Sequence, residues 1–510
     1  MTTQWLGGRR RSGILLHPTS LPGPHGIGDL GRGAHAFADF LAAAGQGVWQ
    51  VLPLVPTGYG DSPYQGLGAH GGNALMVALE PLVEEGLLEA AELASGDLPP
   101  GPVPFERLIP WKEALLSRAA RRFAARGAPA RRAAFDAFRH ASPEVERLAL
   151  FLALKARAGG RPWWEWEPRL AACEPAAVAA AGRALAAEVV DRAFAQFLFA
   201  EQWGALRDHC RARGVLLVGD LPIYVAHDSV DVWSRRELFA LGADGMPTAV
   251  AGVPPDYFSA DGQRWGNPLY RWDALARDGF RFFVERVRAA LGQVDVLRLD
   301  HFRGFEAYWA IPAGATTARE GEWLPGPGAP FLEVLRLTLG EPLPFVAENL
   351  GVITPAVEGL RRRFALPGMA ILQFAFGNDP QAPTFLPHNY GRDLVAYSGT
   401  HDNDTVLGWW GSEGGDSIRT PEEIRREKAR ALAYLRADGR EMNWTLIATL
   451  LASVADTVIF PLQDVLGLGT EGRMNRPSTA SGTWRWRFRD GDLTPALAAR
   501  LGELTGRYGR

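Results

Sequence analysis

Cysteine and lysine are scarce in this chain, and both shortages limit what it can be. The 510 residues include two cysteines, Cys173 and Cys210, which form no CxxC pattern and offer no disulfide framework. Three lysines stand against a large excess of arginine, and the formal net charge is −3. A charge of this sign gives no electrostatic reason to expect nucleic acid as a partner. We therefore expect a protein of a reducing compartment, the cytoplasm.

Long hydrophobic runs are also missing. No apolar span of about 18 residues occurs anywhere, and residues 1–11 contain no apolar run of signal-peptide length. The hydrophobic content of 47% and the charged content of 22% are typical of globular proteins. The sequence predicts a soluble protein with no membrane partner.

Motifs for metals, cofactors and serine nucleophiles are weak. No two histidines share a zinc-ligand spacing, and the oxygen-rich residues 401–404 lack the spaced ligands of a calcium loop. Residues 26–31 match GxGxxG, but residues 21–25 separate them from the preceding predicted strand, which disfavours a dinucleotide site. Ser398 is followed by Gly-Thr-His rather than by the helix of a nucleophile elbow. We expect no cofactor and no metal.

What the chain does contain is a series of eight short apolar segments that predict buried strands. Helical patterns lie between most of them, for example at residues 331–338, 356–364 and 421–435. Eight such strands separated by helices predict an α/β fold, a (β/α)8 TIM barrel with inserted, mostly helical subdomains. The predicted strands are residues 12–18, 47–54, 215–225, 294–299, 344–351, 370–374, 394–404 and 457–462.

Two stretches between the predicted strands are too long for simple crossovers. Residues 82–202 are rich in Ala, Arg, Leu and Glu with apolar residues at helical spacing, which predicts a helical insertion. Its cluster Trp163-Trp-Glu-Trp166 is compatible with a carbohydrate platform, but packing at a domain contact is the favoured interpretation. Residues 251–259 and 264–270 are aromatic and without a regular pattern, which predicts a long binding loop.

Charged side chains follow the predicted strands at their C-terminal ends, where barrel active sites lie. Arg298 and Asp300 are two residues apart and point to the same side of a strand, so the arginine favours the ionised carboxylate. From this stretch alone, a structural ion pair is the alternative interpretation. Glu348 ends the fifth strand, and the seventh runs into His401 and Asp402.

Three of these carboxylates fit the chemistry of glycosidic bond exchange. Retaining glycosidases use two carboxyl groups about 5–5.5 Å apart, one as nucleophile and one as acid/base. Asp300 suits the nucleophile because Arg298 keeps it charged. Glu348 suits the acid because apolar neighbours and the charge of Asp300 raise a carboxyl pKa. Asp402 and His401 suit contacts to the hydroxyls of a distorted sugar.

Nine motifs in a fixed order extend this interpretation over nearly the whole chain. They include Gly58-Tyr-Gly-Asp-Ser-Pro-Tyr-Gln65, Arg298-Leu-Asp-His-Phe-Arg-Gly304 and Tyr397-Ser-Gly-Thr-His-Asp-Asn-Asp-Thr405. The set resembles the amylomaltases, the 4-α-glucanotransferase family of the α-amylase clan. The other six motifs lie at residues 13–22, 219–225, 254–258, 347–351, 474–477 and 484–487.

The resemblance implies transfer of α-1,4-glucan segments to another glucan or to glucose, by a retaining double displacement with a covalent glycosyl-enzyme. It also implies intramolecular transfer to cyclic glucans, and a barrel without a C-terminal β-sandwich. Asp300 would be the nucleophile, Glu348 the acid/base and Asp402 the transition-state stabiliser. The substrate-binding residues implied are Asp220, Arg298 and His401 around the reacting sugar, Tyr64 at its border, Tyr59 in a second glucan contact, Trp265 on the channel loop, and Ser62, His301 and Asn475.

The resemblance and the patterns together divide the chain into five parts. They are residues 1–81 with strands 1–2 and a glucan-binding loop, 82–202 as the helical subdomain, 203–227 with strand 3, 228–290 with the channel loop, and 291–510 with strands 4–8 and the catalytic residues.

Three further functions stay open. An α-1,4-glucan hydrolase of the same clan shares the glycosyl-enzyme but passes it to water, whereas transfer needs an oriented acceptor and a shielded intermediate. A non-catalytic glucan-binding protein is disfavoured because all three carboxylates are present. A nicotinamide enzyme relying on residues 26–31 is favoured least. We expect a monomer or weak homodimer.

Some positions depart from the family pattern. Residues 66–74 differ in sequence, Asn349 stands where Asp is common, Ala370 where Lys is common, and Thr483 where Asn is common. None is one of the three carboxylates. We expect them to bear on acceptor contacts, and so on chain-length preference and the ring size of cyclic products.

Overall fold

Twelve strands occur in the computed structural model, which describes residues 9–94, 98–255, 259–414, 419–477, 479 and 481–510. Eight form one parallel sheet and four form an antiparallel sheet. In chain order they are β1 (Arg11–Leu15), β2 (Val48–Gln50), β3 (Leu216–Leu221), β4 (Ala249–Val253), β5 (Gln263–Pro268), β6 (Val296–Leu299), β7 (Ala307–Pro312), β8 (Glu322–Pro325), β9 (Phe345–Ala347), β10 (Gly368–Ile371), β11 (Leu394–Tyr397) and β12 (Thr457–Pro461).

Helices connect the strands and fill the insertions. None of the described helices combines the length and apolar character that crossing a bilayer requires. The helices are α1 (Arg32–Ala43), α2 (Glu80–Glu84), α3 (Ala90–Ala94), α4 (Phe105–Arg126), α5 (Pro129–Ala141), α6 (Pro143–Arg157), α7 (Pro168–Ala171), α8 (Pro175–Ala184), α9 (Ala186–Ala212), α10 (Val230–Ser234), α11 (Trp272–Arg277), α12 (Arg281–Gln293), α13 (Gly328–Leu339), α14 (Pro355–Arg363), α15 (Val406–Gly411), α16 (Pro421–Leu435), α17 (Met442–Ala452), α18 (Leu462–Leu466) and α19 (Pro495–Arg507).

The parallel sheet is a closed barrel. Its strand order is β10-β11-β12-β1-β2-β3-β6-β9, and the paired neighbours run parallel. The ring closes between β9 and β10, where the Ala347 N–H donates to the Pro367 carbonyl at 2.8 Å and the Met369 N–H donates to Asn349 Oδ1 at 2.7 Å. The predicted (β/α)8 barrel is confirmed, and each of the eight predicted strands contributes to it.

Branched and aliphatic side chains fill the barrel interior. Val48, Val218, Val296 and Val346 belong to one buried cluster inside the ring. Gly13 on β1 lets the neighbouring strand approach closely, since a Cβ there would lie 2.4 Å from the Val48 Cβ. The strands are short and apolar because both of their faces are buried.

The prediction of a long loop across residues 251–270 is wrong in part. Much of this stretch forms β4 and β5, which join β7 and β8 in the antiparallel sheet. These strands are rich in Gly, Pro and Trp and show little apolar alternation, and β4 also pairs with β7, which is distant in sequence. Local pattern therefore gave no strand signal. Tyr257, part of the predicted loop, lies outside the described residues.

The predicted helical insertion consists of α-helices that pack through aromatic side chains. The Phe123 ring of α4 stacks on Phe194 of α9 with ring centroids 4.5 Å apart. Trp163 and Trp166 are buried, and the Trp163 Nε1–H donates to the His227 carbonyl at 2.7 Å. The packing interpretation of the tryptophan cluster is confirmed. The exact subdomain boundaries stay a prediction.

Candidate active site

A cleft of about 940 Å³ opens at the C-terminal ends of the barrel strands. Asp300 follows β6, Glu348 follows β9 and Asp402 lies beyond β11, and all three carboxylates line this cleft. The structure therefore brings the predicted catalytic residues together. Of the predicted substrate-binding residues, those lining the cleft are Tyr59, Ser62, Tyr64, Trp265, Arg298, His301, His401 and Asn475.

Arg298 joins the carboxylates of two neighbouring strands. Its Nη1 donates to Asp220 Oδ1 and Oδ2 at 2.9 and 2.7 Å and to Asp300 Oδ1 at 2.8 Å. Asp220 lies directly opposite Arg298 in the pairing of β3 with β6. The Asp220 side chain is fully buried, whereas 26% of the Asp300 side chain is exposed. Asp300 is thus the carboxylate presented to the cleft, and Asp220 anchors the arginine behind it.

The charge of Arg298 is fixed by these partners. Burial lowers its pKa, but Asp220 and Asp300 raise it well above the ordinary arginine value. Burial raises the pKa of Asp220, and Arg298 opposes that shift. Tyr64 Oη donates to Asp220 Oδ2 at 2.8 Å. Both oxygens of the Asp220 carboxylate therefore accept hydrogen bonds. The guanidinium of Arg298 is thereby oriented toward the Asp300 carboxylate, to which it donates.

Glu348 is held by two backbone N–H groups, and burial raises its pKa. Its Oε2 accepts the His301 N–H at 2.7 Å, and its Oε1 accepts the Leu350 N–H at 2.9 Å. Burial raises the pKa of Glu348 to about 7, with a smaller contribution from Asp300, against lowering by Arg298 and the two N–H donors. Each carboxyl oxygen keeps a second acceptor site, so Glu348 can carry a proton without losing either bond.

Asp402 is oriented by its sequence neighbour His401 and by Asn475, which is close to it only in the folded chain. Its Oδ1 accepts a hydrogen bond from Asn475 Nδ2 at 2.6 Å, and its Oδ2 lies 3.4 Å from His401 Nε2. The His401 ring stacks on Tyr64 with centroids 5.1 Å apart. Burial lowers the pKa of His401 although Asp402 raises it, so a neutral imidazole faces the cleft. These side chains offer donors and acceptors to sugar hydroxyls.

The cleft residues without a role in the sequence-based prediction include three with large side chains, Trp484, Trp323 and Arg303. Trp484 contacts both Tyr64 and His401, with ring centroids 5.8 Å apart in each pair. Trp484 is the first residue of the family motif at residues 484–487, so this motif could have identified it from the sequence. Trp323 and Arg303 also line the cleft. Trp323 was missed because it lies on β8, a strand that the sequence pattern does not reveal.

None of the residues that depart from the family pattern is among the described residues that line the cleft. Asn349 helps to close the barrel, since its Nδ2 donates to Glu358 and its Oδ1 accepts from Met369 N–H. Gly72 packs against the helical insertion, where a Cβ would lie 2.0 Å from the Phe199 ring. Their effect on acceptor contacts stays a prediction.

Metal-binding and dinucleotide-binding sites find no support in the residues that the structure describes. No group of three or more His, Cys, Asp or Glu side chains there could hold a metal ion. The glycines of residues 26–31 serve close packing, since a Cβ on Gly28 would lie 2.0 Å from the Pro18 carbonyl oxygen.

A family model and two sequence relatives that match nearly the whole chain carry the same name. A family model described as 4-alpha-glucanotransferase matches residues 16–494. A 4-alpha-glucanotransferase of Thermus thermophilus is 50% identical over 502 residues, which cover 96% of this chain and 97% of that protein. One from a Synechocystis strain is 45% identical over 507 residues, 98% of each chain. The solved amylomaltase from Streptococcus agalactiae in complex with acarbose superposes with a TM-score of 0.92 at 37% identity, covering 98% of this chain and 100% of that one.

Proposed function

Because this chain belongs to the 4-alpha-glucanotransferase family and is an enzyme of that activity, we propose that it works by a retaining double displacement. Asp300 is the nucleophile, Glu348 the acid/base and Asp402 the transition-state stabiliser. The observation that carries the proposal is the contrast between two neighbouring carboxyl groups. Asp300 is bonded to Arg298, whereas burial raises the pKa of Glu348 to about 7.

The first displacement breaks the donor's glycosidic bond. An Asp300 carboxylate oxygen attacks C1 of the sugar while Glu348 gives its proton to the departing 4-oxygen. The product is a covalent glycosyl-enzyme and a shortened glucan with a free 4-OH. Asp402 and His401 contact ring hydroxyls as positive charge develops at C1, and the fixed carboxylate stabilises that charge.

The second displacement transfers the glycosyl group. The 4-OH of the acceptor loses its proton to ionised Glu348 as its oxygen attacks C1, and Asp300 leaves as a carboxylate. Two inversions at C1 restore the α-configuration. The number of glycosidic bonds is conserved, so transfer changes chain lengths without changing the number of reducing ends. We propose maltooligosaccharides and starch-type glucans as donors, with glucan or glucose as acceptor.

Incubation with maltotriose alone tests transfer directly. We expect glucose and maltodextrins longer than maltotriose to appear while total reducing ends stay constant, because each broken bond is replaced by a new one. Chromatography of the products and a reducing-end assay on the same samples provide the measurement. A rise in reducing ends that matches bond cleavage would instead show water as the acceptor, and would make the protein a hydrolase.

We also propose that a long donor can supply its own acceptor. When the free 4-OH end of the bound glucan returns to the cleft, the second displacement closes a ring. Incubation with amylose should then yield products that an exo-acting glucoamylase does not degrade, because a ring has no chain end. Complete degradation of all products to glucose would contradict the cyclising activity.

The pH profile should report the proton on Glu348. The glycosylation step needs protonated Glu348, so kcat/KM for maltotriose should fall as the pH rises through about 7. The comparison substrate is α-maltosyl fluoride, whose leaving group needs no protonation. Its fluoride release should lack this basic limb. The same basic limb with both substrates would contradict the assignment of Glu348 as the acid.

A further inference from the structure

Trp323 is an exposed aromatic residue in the wall of the catalytic cleft, outside the set predicted from sequence. It lies on β8 at the edge of the antiparallel sheet and is 38% exposed. Most large aromatic side chains of this protein are buried, and Trp323 is among the few large hydrophobic residues with an exposed surface. Because it lines the same cleft as Asp300 and Glu348, its exposed ring faces the space that the glucan would occupy.

The ring is held in one orientation by two neighbours. The guanidinium of Arg303, a residue only 5% exposed, lies over the ring with its Cζ 3.6 Å from the centroid. Trp309 pairs with Trp323 across β7 and β8, with ring centroids 5.1 Å apart at 63°. Trp309 is itself fixed by donation from its Nε1–H to the Ala318 carbonyl at 2.8 Å. Arg303 thus covers one face of the ring, while 38% of Trp323 stays exposed.

The position of the Trp323 ring relative to Glu348 determines which part of the bound glucan the ring can contact. Arg303 donates to the carbonyl of Val352, close in sequence to Leu350, whose N–H binds Glu348. His301, two residues before Arg303, donates to the other oxygen of Glu348. Trp323 therefore belongs to the wall that carries the acid/base. Tyr64, stacked on His401, also lines the cleft.

The acid/base lies beside the oxygen that leaves or attacks, so its wall borders the acceptor side of the cleft. An acceptor presents its non-reducing 4-OH to C1, and the rest of that chain extends away from the reaction centre. A flat ring held rigid in this wall matches the apolar face of a glucose unit, which favours stacking without a large loss of conformational freedom.

We propose that Trp323, supported by Arg303 and Trp309, is a stacking platform for a glucose unit of the acceptor, and so a determinant of acceptor length. The proposal rests on the double displacement described above. A maltotriose acceptor is long enough to place a glucose unit on the platform. Glucose occupies only the position next to the bond being made and does not contact Trp323.

The test separates the two displacements by using a donor that leaves the acceptor side empty. The donor is α-maltosyl fluoride with its non-reducing 4-OH blocked, so it cannot serve as its own acceptor. Fluoride release reports glycosylation, and transfer to labelled maltotriose or labelled glucose reports the second step. For Trp323→Ala we expect the KM for maltotriose to rise about tenfold. The KM for glucose should change about threefold or less, and fluoride release without acceptor less than twofold.

Trp323→Phe is the matched control, since it keeps an aromatic face and should stay within about threefold of the parent KM for maltotriose. Equal acceptor KM values for Trp323→Ala and the parent enzyme would overturn the platform, as would equal losses for glucose and maltotriose. A parent enzyme that releases no fluoride would overturn the double displacement itself, which distinguishes the two failures. Thermal unfolding of both variants shows whether the wall has kept its structure.

Discussion

Replacing Asp300 with asparagine should lower turnover of maltotriose by about 10⁴-fold or more. The amide has the size of the carboxylate but cannot form the glycosyl-enzyme, so the covalent route closes. The fold should persist, because Arg298 keeps both bonds to Asp220 and because 26% of the Asp300 side chain is already exposed. Initial rates of glucose release and the Tm of the same preparation provide the measurement.

A matched control removes a carboxylate elsewhere. Asp273→Asn deletes an exposed partner of Arg277, at 2.6 Å, and should leave turnover near the parent value. In the parent enzyme, a fluorinated maltosyl fluoride that forms a slowly hydrolysed intermediate should add one glycosyl group to the peptide containing Asp300, as seen by mass spectrometry. Near-normal turnover of Asp300→Asn, or labelling of a different residue, would contradict the nucleophile assignment.

Glu348→Gln should lower turnover of maltotriose by roughly 10²–10⁴-fold, the range expected for losing a general acid. The amide cannot protonate the leaving 4-oxygen. Fluoride is a good leaving group without a proton, so release of one equivalent of fluoride from α-maltosyl fluoride should persist. The second step then lacks its base, and the glycosyl-enzyme accumulates.

Azide distinguishes a lost acid/base from a damaged site. As an anion that needs no deprotonation, added azide should restore turnover of α-maltosyl fluoride by Glu348→Gln and yield α-maltosyl azide. The control Glu441→Gln removes an exposed carboxylate paired with Arg500 and should behave like the parent enzyme. Loss of fluoride release together with maltotriose turnover, without azide rescue, would show that Glu348 has another role.

Local pattern predicted the barrel strands because each is short and buried on both faces. A segment such as residues 345–347, which is buried throughout, must be apolar whatever its neighbours are, so its apolar character can be read from the sequence. The four-stranded sheet behaves differently. Its strands are partly exposed and rich in Gly, Pro and Trp, and their stability comes from partners that pattern does not reveal. For this reason Trp323 went unnoticed.

The sequence by itself determined the eight barrel strands, the three carboxylates at strand ends and the family of the chain. Only the tertiary structure decided which residues control those carboxylates. Asp220 and Arg298 are separated by 78 residues, and Asn475 and Asp402 by 73, yet each pair is in hydrogen-bond contact. Side-chain alternation and burial are local properties, whereas the pKa of Glu348 and the orientation of Asp402 depend on groups that meet only when the barrel closes.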